Sequence, residues 1–308
     1  MNFKKLFAGL MAVCLAVSLC ACQSSTPVSN KDTTQAPNAQ TTPTPIINAT
    51  DEPTKEPESN LNKAEIDETE VYNADGVVIV AKSISESLLG TEVKLYVENN
   101  SEKNIAVSGD TFVINGITIS DFLYIEASAN KKANYTMTIS ASKLSDVGIE
   151  HIGYIDFVDV HIVDTDTFQT LNECPFRIET TLFNSFEQTI DDSGDVLYSD
   201  GGITVIAKKL KSSLLGETLI LLVKNESGKE IIVQSDNASV NGFTITTLMS
   251  DYVKNGTIRF CEMTLTSSDL EENAIEQIDE IAFKLKFLDP KNFQTIAQTD
   301  ELTVSTSN

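Results

Sequence analysis

Apolar and polar residues alternate along most of this chain with a period of two. Val93, Leu95 and Val97 alternate with Lys94, Tyr96 and Glu98, the pattern of a strand with one buried face. The polar stretch Asn99 to Lys103 supplies a turn, after which Ile105 and Val107 restart the alternation. Asn115-Gly116 and Asn241-Gly242 are hairpin signals, because a type I′ turn needs positive φ at both central positions. Only Ser142–Asp146 and Ser267–Glu272 read as short helical turns.

The pattern occurs twice. Val71 to Ser120 aligns with Leu197 to Thr246 without a gap, at a constant offset of 126. Leu88-Leu89-Gly90 answers Leu214-Leu215-Gly216, and Asn99-Asn100-Ser101 answers Asn225-Glu226-Ser227. A period this long means two whole domains rather than a solenoid. Six or seven short strands in each ~110-residue repeat predict an all-β fold of two tandem immunoglobulin-like β-sandwich domains. The Cys…Trp…Cys core of antibody domains is absent, since the chain has no Trp.

The repeats also differ in telling ways. Beyond Phe157 and Phe283 the offset falls to 125, so repeat 1 carries one extra residue. Placing it at Val158 predicts a β-bulge at 157–158, with Asp159 and His161 facing solvent; the other register would bury that polar pair at a cost. Repeat 2 has Ile220, Leu222 and Ile232 where repeat 1 has Lys94, Tyr96 and Ala106. On an outer sheet face these would form an apolar patch, covered by repeat 1, by a partner or by a loop. The connector 181–195 contains Leu182, Phe183, Phe186 and Ile190, so it is expected to pack on a domain and limit relative motion.

Ahead of the repeats lie an address and a tether. Lys4 and Lys5 precede 14 apolar residues, Leu6 to Leu19, a run too short to span a bilayer but of secretory length. It ends in Leu19-Cys20-Ala21-Cys22, which resembles the lipobox of bacterial lipoproteins. That resemblance implies a diacylglycerol on the Cys22 thiol and cleavage before it. Six of the eight prolines follow before residue 60, among Ser, Thr, Asn and Gln, so this stretch cannot bury enough apolar surface to fold. Extended as polyproline II, 38 residues would reach roughly 120 Å. The organisation read from sequence is therefore a signal peptide (1–21), a lipidated Cys22 with its tether (22–69), repeat 1 (70–180), the connector (181–195) and repeat 2 (196–308).

Charge and composition narrow the function. The net charge is −23, with Arg177 and Arg259 beside twenty lysines, which disfavours a nucleic-acid partner. Cys14 and Cys20 leave with the signal and Cys22 takes lipid, so Cys174 and Cys261 remain, one per repeat. No disulfide can form within a repeat; two buried free thiols or one bridge between repeats remain open.

Candidate chemistry is sparse. Ser140-x-x-Lys143 and Ser235-Asp236-Asn237 match two of the three short motifs of penicillin-binding enzymes. No Lys-Thr-Gly accompanies them, and they fall in different repeats, so no catalytic residue is assigned. Asp156, Asp159, Asp164 and Asp166 cluster in sequence, but repeat 2 keeps only Asp289 of the group. Solvated acidic loops are the reading, with calcium left undecided. His151 and His161 lack nearby Cys for zinc. No metal or cofactor is expected. The absence of Trp and the seven Tyr count against carbohydrate recognition.

Val97-Glu98-Asn99-Asn100-Ser101-Glu102-Lys103-Asn104-Ile105, followed by Val113-Ile114-Asn115-Gly116, resembles uncharacterised immunoglobulin-like domains of Gram-positive, especially clostridial, surface lipoproteins. The resemblance implies no established catalytic residues. The expectation is an exported, non-enzymatic binding or adhesion protein, held on the extracytoplasmic side of the cell membrane by the lipid on Cys22. Its partner would be an envelope protein or wall component. An accessory subunit or passive spacer is the alternative, ahead of a hydrolase.

Overall fold

A computed structural model describes residues 63–213 and 215–306. The signal segment, Cys22 and the tether up to residue 62 lie outside the described residues.

Period-two alternation becomes strands whose apolar sides meet across two sheets. In repeat 1 the strands are β1 (Thr69–Ala74), β2 (Val77–Ser87), β3 (Gly90–Asn99), β4 (Ile105–Ile114), β5 (Ile117–Ala127), β6 (Lys131–Ser140), β7 (Tyr154–Phe157), β8 (Val160–Asp164), β9 (Gln169–Glu173) and β10 (Phe176–Glu179), with α1 (Ala141–Asp146) after β6. Repeat 2 follows with β11 (Asp195–Asp200), β12 (Ile203–Ser213), β13 (Gly216–Asn225), β14 (Ile231–Val240), β15 (Phe243–Thr244), β16 (Thr247–Leu248), β17 (Ser250–Val253), β18 (Thr257–Thr266), α2 (Ser267–Glu272), β19 (Glu280–Leu288), β20 (Thr295–Gln298) and β21 (Leu302–Ser305). The fold is all-β, built of β-sandwich layers.

In repeat 1 one sheet runs β1-β2-β3-β6, and β4 centres the other between β5 and the pair β7/β8. Repeat 2 copies this order, with β11-β12-β13-β18 as one layer and β14 and β19 as the centre of the other. Val93, Leu95 and Val97 point inward from β3, as do Leu219, Leu221 and Val223 from β13, into two separate apolar cores. Phe112, Phe157 and Phe176 interlock in the first, with ring centroids 5.0 Å and 4.3 Å apart.

The turns follow their residue chemistry. Asn115 and Asn241 sit at φ +51° and +49°, each followed by glycine at φ +85° and +83°, as a two-residue hairpin requires. Gly90 and Gly216 are fixed by crowding: a Cβ there would lie 1.9 Å from the Ile139 carbonyl oxygen and 2.0 Å from that of Leu265. Residues 63–68, assigned above to the tether, belong to the fold. Ala64 and Ile66 pack on the first core, and the Thr181 N–H donates to the Glu65 carbonyl at 2.9 Å.

The expected bulge lies elsewhere. In repeat 1, β4 keeps one register against both strands, Phe112 opposite Phe157 and Gly109 opposite Val160. The extra residue is accommodated by a break at Val158–Asp159 rather than a bulge. In repeat 2, β19 is continuous and one residue shorter, so β14 absorbs the mismatch with a bulge between Asp236 and Ser239, where Asn237 adopts φ +49°. The side-chain directions are as read from sequence. Val160 and Ile162 are buried, Asp159 is exposed and His161 is half-buried outside the core, its Nε2 2.8 Å from Asp159 Oδ1.

The two repeats are fused. β5 and β18 run parallel at Ile117 and Ile258, and the Ile258 N–H donates to the Gly116 carbonyl at 3.0 Å. This joins a layer of repeat 1 to a layer of repeat 2 in one 11-stranded sheet.

Candidate functional site

The outward face of β12, β13 and β18 explains the apolar substitutions of repeat 2. Ile206, Ile220 and Leu222 are buried although they point away from their own core. Ile258 and Phe260 on the same layer, together with Ile190 of the connector, pack against the core of repeat 1. Docking on repeat 1 is seen at Ile220, which shares a groove with Ile119. Ile232 is separate, lying half-buried on β14 opposite Tyr252 and Leu288.

Acidic residues pin the connector. Asp192 Oδ2 is 2.8 Å from Lys224 Nζ and Asp191 Oδ2 is 3.1 Å from Lys208 Nζ. Asp191 Oδ1 also accepts from the Ser193 hydroxyl at 2.6 Å and the Ser193 N–H at 3.0 Å. The Ser193 hydrogen bonds, then Lys208, hold the Asp191 carboxyl down at about 2.

A groove of about 260 Å³ runs along the seam between repeats, with Ile119, Ile220 and Phe260 on its apolar wall. Arg259 dominates its polar side. Its Nη2 lies 2.7 Å from Asp251 Oδ1 and donates to Ser120 Oγ at 2.9 Å, while Nη1 donates to the Tyr252 carbonyl at 3.0 Å. Repeat 1 has Ala133 and Ile125 at the equivalent positions, so this ion pair belongs to the seam and not to the repeat. Lys211 pairs with Asp146 at 3.1 Å, and Lys143 donates to the Ser120 carbonyl at 3.0 Å. These cations face protein acceptors, so the groove acts as a clasp.

At the far end of each sandwich a buried asparagine locks the turn after β3 or β13. Asn99 Nδ2 donates to the carbonyls of Lys103 (2.8 Å), Ala127 (2.8 Å) and Ser128 (3.1 Å), while Oδ1 accepts from Ser101 N–H and Oγ. Asn225 repeats the scheme with Lys229, Val253 and Ser227. Beside each lock, the connections β8–β9 and β19–β20 form matching turns. Phe168 N–H donates to the Asp164 carbonyl at 2.7 Å and Phe293 N–H to that of Asp289 at 2.8 Å. Both rings project from the surface. The sequence pattern missed these two aromatics as surface features, although Phe-Gln-Thr recurs at the same place in both repeats.

The motifs singled out in the sequence are dispersed. Ser140 Oγ caps α1 by accepting from the Lys143 N–H at 3.4 Å, and the Lys143 ammonium extends instead to Ser120 and Asp121. Ser235 Oγ pairs with Thr247 Oγ1 at 2.7 Å in the other sandwich. Asp156 is held by Arg177 through two bonds of 2.6 Å and 2.7 Å. Asp164 accepts from the backbone of Thr167 and Asp166 at 3.0 Å, which lowers its pKa. Asp166 accepts from Asn104 at 3.2 Å. Among the described residues no group of three or more His, Cys, Asp or Glu gathers as a metal site. Cys174 and Cys261 are both buried and free; burial pushes the Cys174 thiol up to about 12 and raises that of Cys261 as well.

Layers and loops of this kind define an all-β protein of three sheets whose polar groups serve mainly its own turns and seam. No family model matches the chain, and no curated protein matches it. Among solved structures, the conserved domain protein from Bacillus anthracis aligns with 78% of this chain and 92% of its own, at 10% identity and a TM-score of 0.27.

Proposed function

We propose that this protein is an exported lipoprotein, anchored through lipid on Cys22 at the outer side of the cell membrane, that binds an envelope component without catalysing a reaction. The observation that carries the binding reading is the fusion of the repeats. The β5–β18 junction, the Arg259–Asp251 clasp and the pinned connector hold two equivalent sets of surface loops at a fixed mutual arrangement. Such an arrangement suits the engagement of an extended partner at two points. The tether then sets the reach of that engagement above the bilayer.

The anchor is tested in cells: the wild-type chain should fractionate with membranes, and Cys22→Ala should release it to the medium. Residues 59–308 form one compact unit that contains both cores, so this segment serves as a soluble form. It should pellet with purified cell-wall sacculi and remain bound at high salt. Retention in the supernatant would reject wall binding, and cross-linking in cells would then test the accessory-subunit alternative.

A further inference from the structure

The seam groove carries two charged side chains that the clasp leaves unused. Arg259 is committed to Asp251, Lys211 to Asp146, and Lys143 to Ser120 and Asp121. Lys209 and Glu262 also line the groove, and both are exposed. Among the described residues neither side chain has a hydrogen-bond or ion-pair partner; Glu262 is engaged only through its backbone N–H, which donates to Asp251 Oδ2 at 3.3 Å.

Strand register sets where these two charges stand. Lys209 on β12 is opposite Ile220 on β13, and Ile220 is opposite Glu262 on β18. Residues in such a row share one face of the sheet, and two strand spacings put the outer pair roughly 10 Å apart at Cα. A lysine and a glutamate at that separation are long enough to meet above Ile220, yet they form no ion pair here. The Lys211 ammonium is raised first by its bond to Asp146 and further by the Glu262 carboxylate, which places the Glu262 charge beside the groove. Repeat 1 has Ser83, Lys94 and Thr136 in the equivalent row, so the arrangement belongs to the seam alone. The groove, of about 260 Å³, thus combines an apolar floor of Ile119, Ile220 and Phe260 with one uncommitted charge of each sign, on either side of Ile220.

We propose that the seam groove binds a short apolar peptide with free termini, its carboxylate on Lys209, its ammonium on Glu262 and its side chains over the apolar floor. Charge-assisted hydrogen bonds at both ends fix the orientation, while the floor supplies apolar contact. A simple anion would be opposed by Glu262, and a simple cation by Lys209, Lys211 and Lys143. An inner stretch of a long polypeptide has neither terminus to offer. The site is separate from the wall contact proposed above and does not depend on it.

The test is calorimetric titration of residues 59–308 with leucyl-leucine, with its N-acetylated form and with its C-terminal amide. Leucyl-leucine should bind saturably at one site, and blocking either terminus should weaken binding about tenfold through loss of one charge-assisted contact. Lys209→Glu should remove the preference for the free carboxylate over the amide, and Glu262→Lys the preference for the free ammonium over the acetylated form. Both side chains are exposed, so thermal stability should be unchanged in each variant. No saturable binding of leucyl-leucine by the wild type overturns the proposal, as does equal binding of the blocked peptides. Preferences that persist in the two variants would also overturn it, by removing Lys209 and Glu262 from the site.

Discussion

Asn99 and Asn225 each bury an amide that serves three or two carbonyls and a serine. Truncation would strand those partners away from water, at about 1–3 kcal/mol for each group left unsatisfied. Asn99→Ala should therefore destabilise the protein by about 2–3 kcal/mol in urea unfolding, whereas Asn100→Ala, one position along and exposed, should change little. Asp191 gives a pH signature. Its folded value of about 2 lies below the ordinary carboxyl value of about 3.9, so its contribution is present in full above pH ~4 and is lost as pH falls towards 2. Asp191→Asn should flatten that part of the stability–pH curve and free the connector, read by amide exchange at residues 190–194. The two thiols give a third check. With Cys174 at about 12 and Cys261 raised, neither should react with a thiol reagent at pH 8 until the protein is denatured, when both should.

At the scale of elements, one missing residue in β19 has moved a bulge onto its partner β14, where Asn237 supplies the left-handed turn. The corresponding residue in β4 is Thr111, β-branched and poorly suited to positive φ. β4 already shifts register against β5 between Gly109 and Thr111; deleting Val158 should impose a shift there against β7 and β8 as well and destabilise repeat 1 by about 1–3 kcal/mol. Adding Thr111→Asn should recover part of the loss, a coupling that a double-mutant cycle in urea would measure. This case also marks the limit of sequence reading. Comparing repeats located the length difference and the outward direction of Asp159 and His161, because side-chain alternation is local. It could not say which strand would yield, since that depends on the residue opposite in the neighbouring strand. The hairpins at Asn115-Gly116 and Asn241-Gly242 were legible because their geometry is set by two adjacent residues. The Phe168 and Phe293 tips were not, because an aromatic in a β pattern reads as core until its φ is known.

At the scale of the molecule, the seam rests on a handful of positions where repeat 2 departs from repeat 1. Sequence alone pointed to Ile220 and Leu222, yet not to Ile258, Phe260 or Arg259, whose contacts in repeat 1 lie more than a hundred residues away. Restoring the repeat 1 residues with Ile220→Lys, Leu222→Tyr and Phe260→Asn should undock the sandwiches while leaving both inward faces intact. Calorimetry should then resolve two transitions in place of one, and small-angle scattering should show a larger radius of gyration. A single unshifted transition would mean that the junction of β5 with β18 and the connector suffice to couple them.

The same departures bear on how neighbouring copies of the chain meet. β5 is continuous and accepts β18 along its edge, but its counterpart in repeat 2 is broken into β15, β16 and β17, with β16 crossing to the opposite layer. Asp251 of β17 is also committed to Arg259. An exposed strand edge invites recruitment of neighbouring chains into a growing aggregate, and a short, interrupted, charged one discourages it. The β5 edge of the first copy thus receives a strand from within the chain at Ile117, whereas the corresponding stretch of the second copy is interrupted. Crowded copies should therefore pair edge to edge less readily than they would if repeat 2 presented a continuous strand at this position.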